Sequence, residues 1–196
     1  MAFYALQEAV KGGRRDLVLL QLAEAPDTVK QADCNGTTCV LLAARLNNDE
    51  IVKELLSHGG DPHAAELPEI GANTALHFAA RNKNEDMVAC LLSFGASPNQ
   101  QNALGQTPLH IAARVGCKGA AEQMLAAGAN PAITDKSGFD AAYWAEHGKY
   151  SDLARLLPPP KCLNSKDLAM FQLLAMDQLD LPLKMATKKK GKGKKK

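Results

Sequence analysis

A block of nine residues returns after 33 positions, and few folds admit that. Asn73-Thr74-Ala75-Leu76-His77-Phe78-Ala79-Ala80-Arg81 is echoed by Gln106-Thr107-Pro108-Leu109-His110-Ile111-Ala112-Ala113-Arg114, so that Thr74 and Thr107 stand 33 residues apart. Self-similarity at this period marks stacked supersecondary units: one unit cannot bury its apolar face alone, and its neighbours cover it. The chain is thereby restricted to a one-dimensional stack with a continuous core.

Further copies flank these two. Asp33-Cys34-Asn35-Gly36-Thr37-Thr38-Cys39-Val40-Leu41-Leu42-Ala43-Ala44-Arg45 lies 36 residues upstream, its three surplus residues falling among 64–72 in a loop lengthened around Pro68. Downstream, Gly138-Phe139-Asp140-Ala141-Ala142-Tyr143-Trp144-Ala145 keeps the period of 33, with Asp140 in the threonine place and Tyr143 in the histidine place. Leu6, Ala9, Val18 and Leu22 fall 34 residues before Val40, Ala43, Val52 and Leu56 and give a first unit without room for a preceding hairpin. A second helix follows each first one, since Ile51-Val52 with Leu55-Leu56, Met87-Val88 with Leu91-Leu92, and Met124-Leu125 form buried helical stripes. Each stripe runs into Gly59, Gly95 or Gly128, residues suited to a left-handed cap. Pro62, Pro98 and Pro131 then forbid continuation.

The period together with Thr-Pro-Leu-His-x-Ala-Ala at 107–113 resembles the ankyrin-repeat family. The resemblance implies an all-α solenoid of about five helix-turn-helix units joined by short β-hairpin loops, and a function in binding proteins without catalysis. It also implies that Thr74 and Thr107 cap the first helices and that His77 and His110 bond neighbouring backbone. The residues agree with such a reading, because threonine ahead of an apolar-periodic run is a good N-cap and Pro108 suits the first helical position. The solenoid is expected over residues 1–160, followed by a helix within 161–183 and a disordered Lys/Gly-rich tail over 184–196.

Chemistry-bearing clusters are few. Cys34, Cys39, His58 and His63 have a zinc-finger flavour, but the residues between them carry the repeat pattern and Pro62 splits the histidines, so no metal is expected. No nucleophile with a paired base, carboxylate dyad or phosphate loop is placed by the pattern, so the chain is read as a non-enzyme without cofactors. Five cysteines without a C-x-x-C pair, no apolar run of membrane-spanning length and no signal-peptide block at the N-terminus point to a cytoplasmic protein, expected to be a monomer.

What remains is surface. At one register position the five units carry Lys11, Arg45, Arg81, Arg114 and His147. In ankyrin proteins partners commonly dock in the concave groove beside this position, so the column reads as a basic stripe for an acidic segment, or as a solvated face. Phe139 and Trp144 place an aromatic face at the end of the last unit. A helix over Ser165–Gln178 would either cap that face or meet a partner. Gly95-Ala96-Ser97-Pro98-Asn99 resembles the hairpin site that an asparagine hydroxylase modifies in other ankyrin proteins, which makes Asn99 a candidate for hydroxylation.

The tail competes for function. Lys188–Lys196 holds seven lysines, and without them 16 basic residues face 21 acidic ones. Such an end can meet nucleic acid, an import receptor or acidic tubulin tails by charge alone, which adds nucleus and cilium to the expected locations.

Overall fold

The computed structural model describes residues 2–159. Within them ten α-helices pair into five antiparallel units: α1 (Ala2–Lys11) with α2 (Arg15–Glu24), α3 (Cys39–Arg45) with α4 (Asp49–Ser57), α5 (Ala75–Arg81) with α6 (Glu85–Ser93), α7 (Pro108–Val115) with α8 (Lys118–Ala126), and α9 (Ala141–His147) with α10 (Ser151–Ala154). The first helices pack in series as one layer, α1 on α3 on α5 on α7 on α9; α2, α4, α6, α8 and α10 form a second layer against it. This is the all-α repeat stack that the 33-residue period demands. The helix expected over 165–178 and the tail from 184 lie outside the described residues.

The core follows the register. Ala43, Ala79, Ala112 and Ala145 hold equivalent places and are wholly buried, because neighbouring first helices approach there too closely for a larger group. Leu55, Leu91 and Met124 hold equivalent places on the second helices and are wholly buried. The helices are short, seven to ten residues apart from the four of α10, so their stability comes from packing and not from propensity.

The connecting hairpins are tighter than strands: only the single antiparallel bridges Ala32–Thr38 and Ala65–Thr74 occur among the described residues. One acid or amide organises each regular hairpin. Asp33 Oδ1 accepts from the amides of Asn35 (2.9 Å) and Thr37 (2.8 Å), Asn102 Oδ1 from Leu104 (2.9 Å) and Gln106 (3.0 Å), and Asp135 Oδ1 from Ser137 (2.9 Å) and Phe139 (3.0 Å). A short polar side chain that bonds its own backbone two and four residues on substitutes for a longer ladder. Hairpins then join one another at their tips, as Leu67 N–H donates to Asn35 O (3.2 Å), Ala103 N–H to Gly71 O (2.9 Å) and Lys136 N–H to Leu104 O (3.0 Å). The contact is close: a Cβ at Gly105 would lie 2.8 Å from the amide nitrogen of Lys136.

Left-handed residues turn the chain at two repeating places. Gly59, Gly95 and Gly128 follow the second helices with φ of 85, 85 and 87°. Between the helices of each unit, Gly13, Asn47, Lys83, Gly116 and Lys149 hold another left-handed position, with φ from 58 to 74°. The lysines are the exception, since a left-handed L-residue costs about 1–2 kcal/mol, offset in part by the roughly 0.5–1 kcal/mol that glycine loses in chain entropy. Lys83→Gly is therefore expected to raise stability by up to about 1 kcal/mol, seen as a higher urea midpoint with an unchanged slope. A lower midpoint would contradict this account of the turn.

Candidate functional site

Two histidines bind successive units together. At the start of α5, His77 Nδ1 lies 3.2 Å from the amide nitrogen of Thr74 and 2.8 Å from its hydroxyl, while Nε2 stands 2.9 Å from Gln106 O in the next hairpin. In α7, His110 repeats the arrangement with Thr107 at 3.1 and 2.8 Å and with Phe139 O at 3.2 Å. A carbonyl only accepts and an amide only donates, so each ring is neutral, with its proton on Nε2. Burial pushes the His77 ring down to about 4, and burial likewise lowers His110. Both rings are spent on backbone and hold no atom free for chemistry.

The histidine place holds Leu41 in the second unit, and a different set of bonds joins that unit to the third. Glu66, in the lengthened hairpin, is buried to 6% exposure; its carboxylate pairs with Arg45 (3.6 Å) and accepts from Asn73 Nδ2 (3.3 Å). Asn82 Nδ2 donates to Ala44 O (3.1 Å), and Asn84 Nδ2 to the side chains of Asn47 (3.0 Å) and Asp49 (2.7 Å). Thr38 is left to cap its helix directly, accepting from the Leu41 amide at 3.3 Å.

These ties divide the column of cations. Lys11 is exposed and paired with Glu8 (2.7 Å), and Arg45 is committed to Glu66. His147 stacks on the Tyr143 ring (5.9 Å between centroids). Arg81 lies over the Phe78 ring at 4.8 Å, and its neighbour Arg114 is half-buried. Neither of these two arginines has a carboxylate or hydrogen-bond partner among the described residues. Burial first, and then the charge of the exposed Arg81, push the Arg114 guanidinium down from its ordinary range.

The family model described as "Ankyrin repeats (3 copies)" matches residues 6–102, 44–135 and 76–167. The chain belongs to the ankyrin-repeat family. A search of curated proteins found no match. Ankyrin repeats are in general protein-protein interaction modules, so the exposed faces of this stack are where function is to be sought.

The other residues singled out from the sequence are placed as follows in the ankyrin stack. Phe139 and Trp144 are both buried; the Trp144 indole N–H donates to Asp135 Oδ2 (3.0 Å), and Tyr143 stacks on Phe139 at 3.9 Å. The Asn99 amide clamps the following hairpin, donating to Gly128 O (3.0 Å) and accepting from Asn130 N–H (2.7 Å), so an enzyme acting on it would first have to release both bonds. Cys39 is wholly buried, its thiol pushed up to about 12 by burial and then by the charge of Asp33. Cys34 is exposed, and His58 Nδ1 donates to Glu54 O (2.8 Å). No group of three or more metal-ligating side chains occurs among the described residues, and none of their helices is long and apolar enough to cross a membrane. Sequence reasoning missed Glu66, which sits in the insertion where the register gives no guide. It also missed Asp33, Asn102 and Asp135, although each stands three residues before a glycine, a readable turn signal.

The depressed His77 value has a consequence for stability. The unfolded imidazole takes a proton at its ordinary value near 6.5, whereas the folded one resists until about 4. Stability is therefore full above the unfolded value and falls as pH drops from there toward about 4, by roughly 3 kcal/mol from this ring alone. Urea midpoints measured across that range should decline more steeply for the natural chain than for His77→Leu. Equal slopes would contradict the neutral, buried ring.

Proposed function

We propose that the chain is a non-catalytic binding module that receives an acidic segment of a protein partner across Arg81 and Arg114. The observation that carries this reading is the pair itself: two adjacent guanidinium groups, one half-buried, without a carboxylate. A half-buried cation beside a second one costs stability unless an anion completes the arrangement. Guanidinium forks match carboxylates two bonds at a time, and hydrogen bonds to charged groups contribute about 1.5–3 kcal/mol each. Arg45 belongs to the scaffold, because Glu66 already neutralises it, and Lys11 is likewise paired with Glu8.

A fluorescent oligo-glutamate peptide tests the reading, with the seven terminal lysines changed to glutamine so that the tail cannot bind it. Arg81→Glu with Arg114→Glu is expected to weaken binding by about a hundredfold or more, near 3 kcal/mol, with the thermal midpoint unchanged. Added salt should weaken the natural pair in the same assay. Binding that survives the double reversal would contradict the proposal, as would binding lost on lysine replacement alone. The second outcome assigns polyanion binding, to nucleic acid or tubulin tails, to Lys188–Lys196.

A further inference from the structure

The layer of second helices opens where α4 and α6 pass each other. Between them lies a cleft of about 460 Å³, bounded by Glu50 and Lys53 on α4 and by Asp86, Cys90 and Phe94 on the α6 side. The α6 side is a single helical stripe, since Ala89 and Ser93 complete the i, i+3, i+4, i+7, i+8 series that runs from Asp86 to Phe94. Its composition departs from the repeat. Ala89 stands where the neighbouring units carry Lys53 and Glu122, Cys90 where they carry Glu54 and Gln123, and Phe94 where they carry His58 and Ala127. Short side chains in the middle of the stripe leave space, and the stripe ends in an aromatic ring at 41% exposure.

Carboxylates gather at one end of this cleft. Asp49, Glu50 and Asp86 stand in the first turns of their helices. Asp49 accepts from Asn84 Nδ2 (2.7 Å) and Glu50 reaches Arg15 at 3.9 Å, whereas Asp86 has no hydrogen-bond or ion-pair partner among the described residues. Lys53 is the one cation of the lining, so the cleft carries a net negative charge. Burial raises the Cys90 thiol, and the charges of Lys53 and Asp49 act on it in opposite senses, so both reach across from α4 to the α6 side. The other end is apolar: Phe94 lies eight residues beyond Asp86, about 12 Å along the helix. Folding gains little from a ring left in the open there.

We propose that the α4–α6 cleft is a second binding site, which takes a short segment of a protein partner carrying lysine or arginine at one end and a large apolar side chain at the other. The basic group meets Asp86 and Glu50; the apolar side chain covers Phe94 and the small residues beside it. Charge complementarity selects the basic end, and the exposed ring beside an open volume selects the apolar one. Their separation of about 12 Å corresponds to roughly two turns of a partner helix, or to about four residues of extended chain. This occupant is opposite in charge to the acidic segment proposed for Arg81 and Arg114. Those arginines lie on the first helices α5 and α7, so the two sites belong to different layers and neither depends on the other.

Random short peptides displayed on phage, selected on the full chain and depleted on Asp86→Lys with Phe94→Ser, retain only ligands that need the cleft. Enrichment of sequences joining Lys or Arg to Leu, Ile, Met or Phe at a recurrent spacing is the expected result. One such peptide, made with a fluorophore, should bind the natural chain about a hundredfold more tightly than that variant, the effect of losing a charged and an apolar contact together. It should be indifferent to Arg81→Glu with Arg114→Glu. Both replaced side chains are exposed, so the melting temperature should hold; if it falls, Asp86→Asn with Phe94→Ala takes their place and must weaken binding by about tenfold or more. No enrichment after depletion, or enrichment of acidic sequences, overturns this inference and leaves the basic face standing. Tighter binding once the seven terminal lysines become glutamine, or self-association of the natural chain that the variant loses, overturns the choice of occupant and gives the cleft to those lysines or to a second copy.

Discussion

A neutral imidazole holds the later units of this stack in register. His77 and His110 each receive bonds from the threonine that begins their own helix and donate to the carbonyl immediately before the next unit's N-cap. One ring thereby fixes helix start, hairpin position and unit spacing at once. A charged ring could not do so, because Nδ1 would become a donor facing the donors of Thr74 or Thr107. Burial keeps the ring neutral, and the bonds to it make that burial tolerable; each condition supports the other.

Loss of that ring in the second unit has a visible consequence for the surface. With Leu41 in the histidine place, the second and third units are joined by the Glu66–Arg45 pair and by Asn82 and Asn84. The pair withdraws Arg45 from the basic column. The units that keep the histidine need no such arginine, and Arg81 and Arg114 remain available. The way the units are tied thus decides which cations are left without a carboxylate among the described residues. The insertion that supplies Glu66 also carries the exposed Leu67 and Ile70, so one departure from the repeat both fastens the stack and shapes its edge.

The architecture was legible in the sequence because it is periodic. Ala43, Ala79, Ala112 and Ala145 recur where helices touch, and the glycines at 59, 95 and 128 recur where they stop. The strand character expected of the hairpins shrinks to isolated bridges, because Asp33, Asn102 and Asp135 close the turns through their own side chains. The residue numbers of the basic column could be read from the register, but its partition could not. Which arginine meets a carboxylate depends on Glu66, whose position in an irregular loop of extra residues no periodic argument supplies. Likewise Lys83 and Lys149 sit at left-handed turns that their residue type does not announce.

The register of the later units follows from rings that must be neutral, with the proton on Nε2. Nitrogen NMR of the chain labelled at histidine observes this directly. The account predicts that His77 and His110 show the Nε2-protonated tautomer with slowly exchanging ring protons, and that His77 stays neutral down to about 4. Titration of His77 near 6.5, with the averaged nitrogen shifts of a solvent-exposed imidazole, would contradict it.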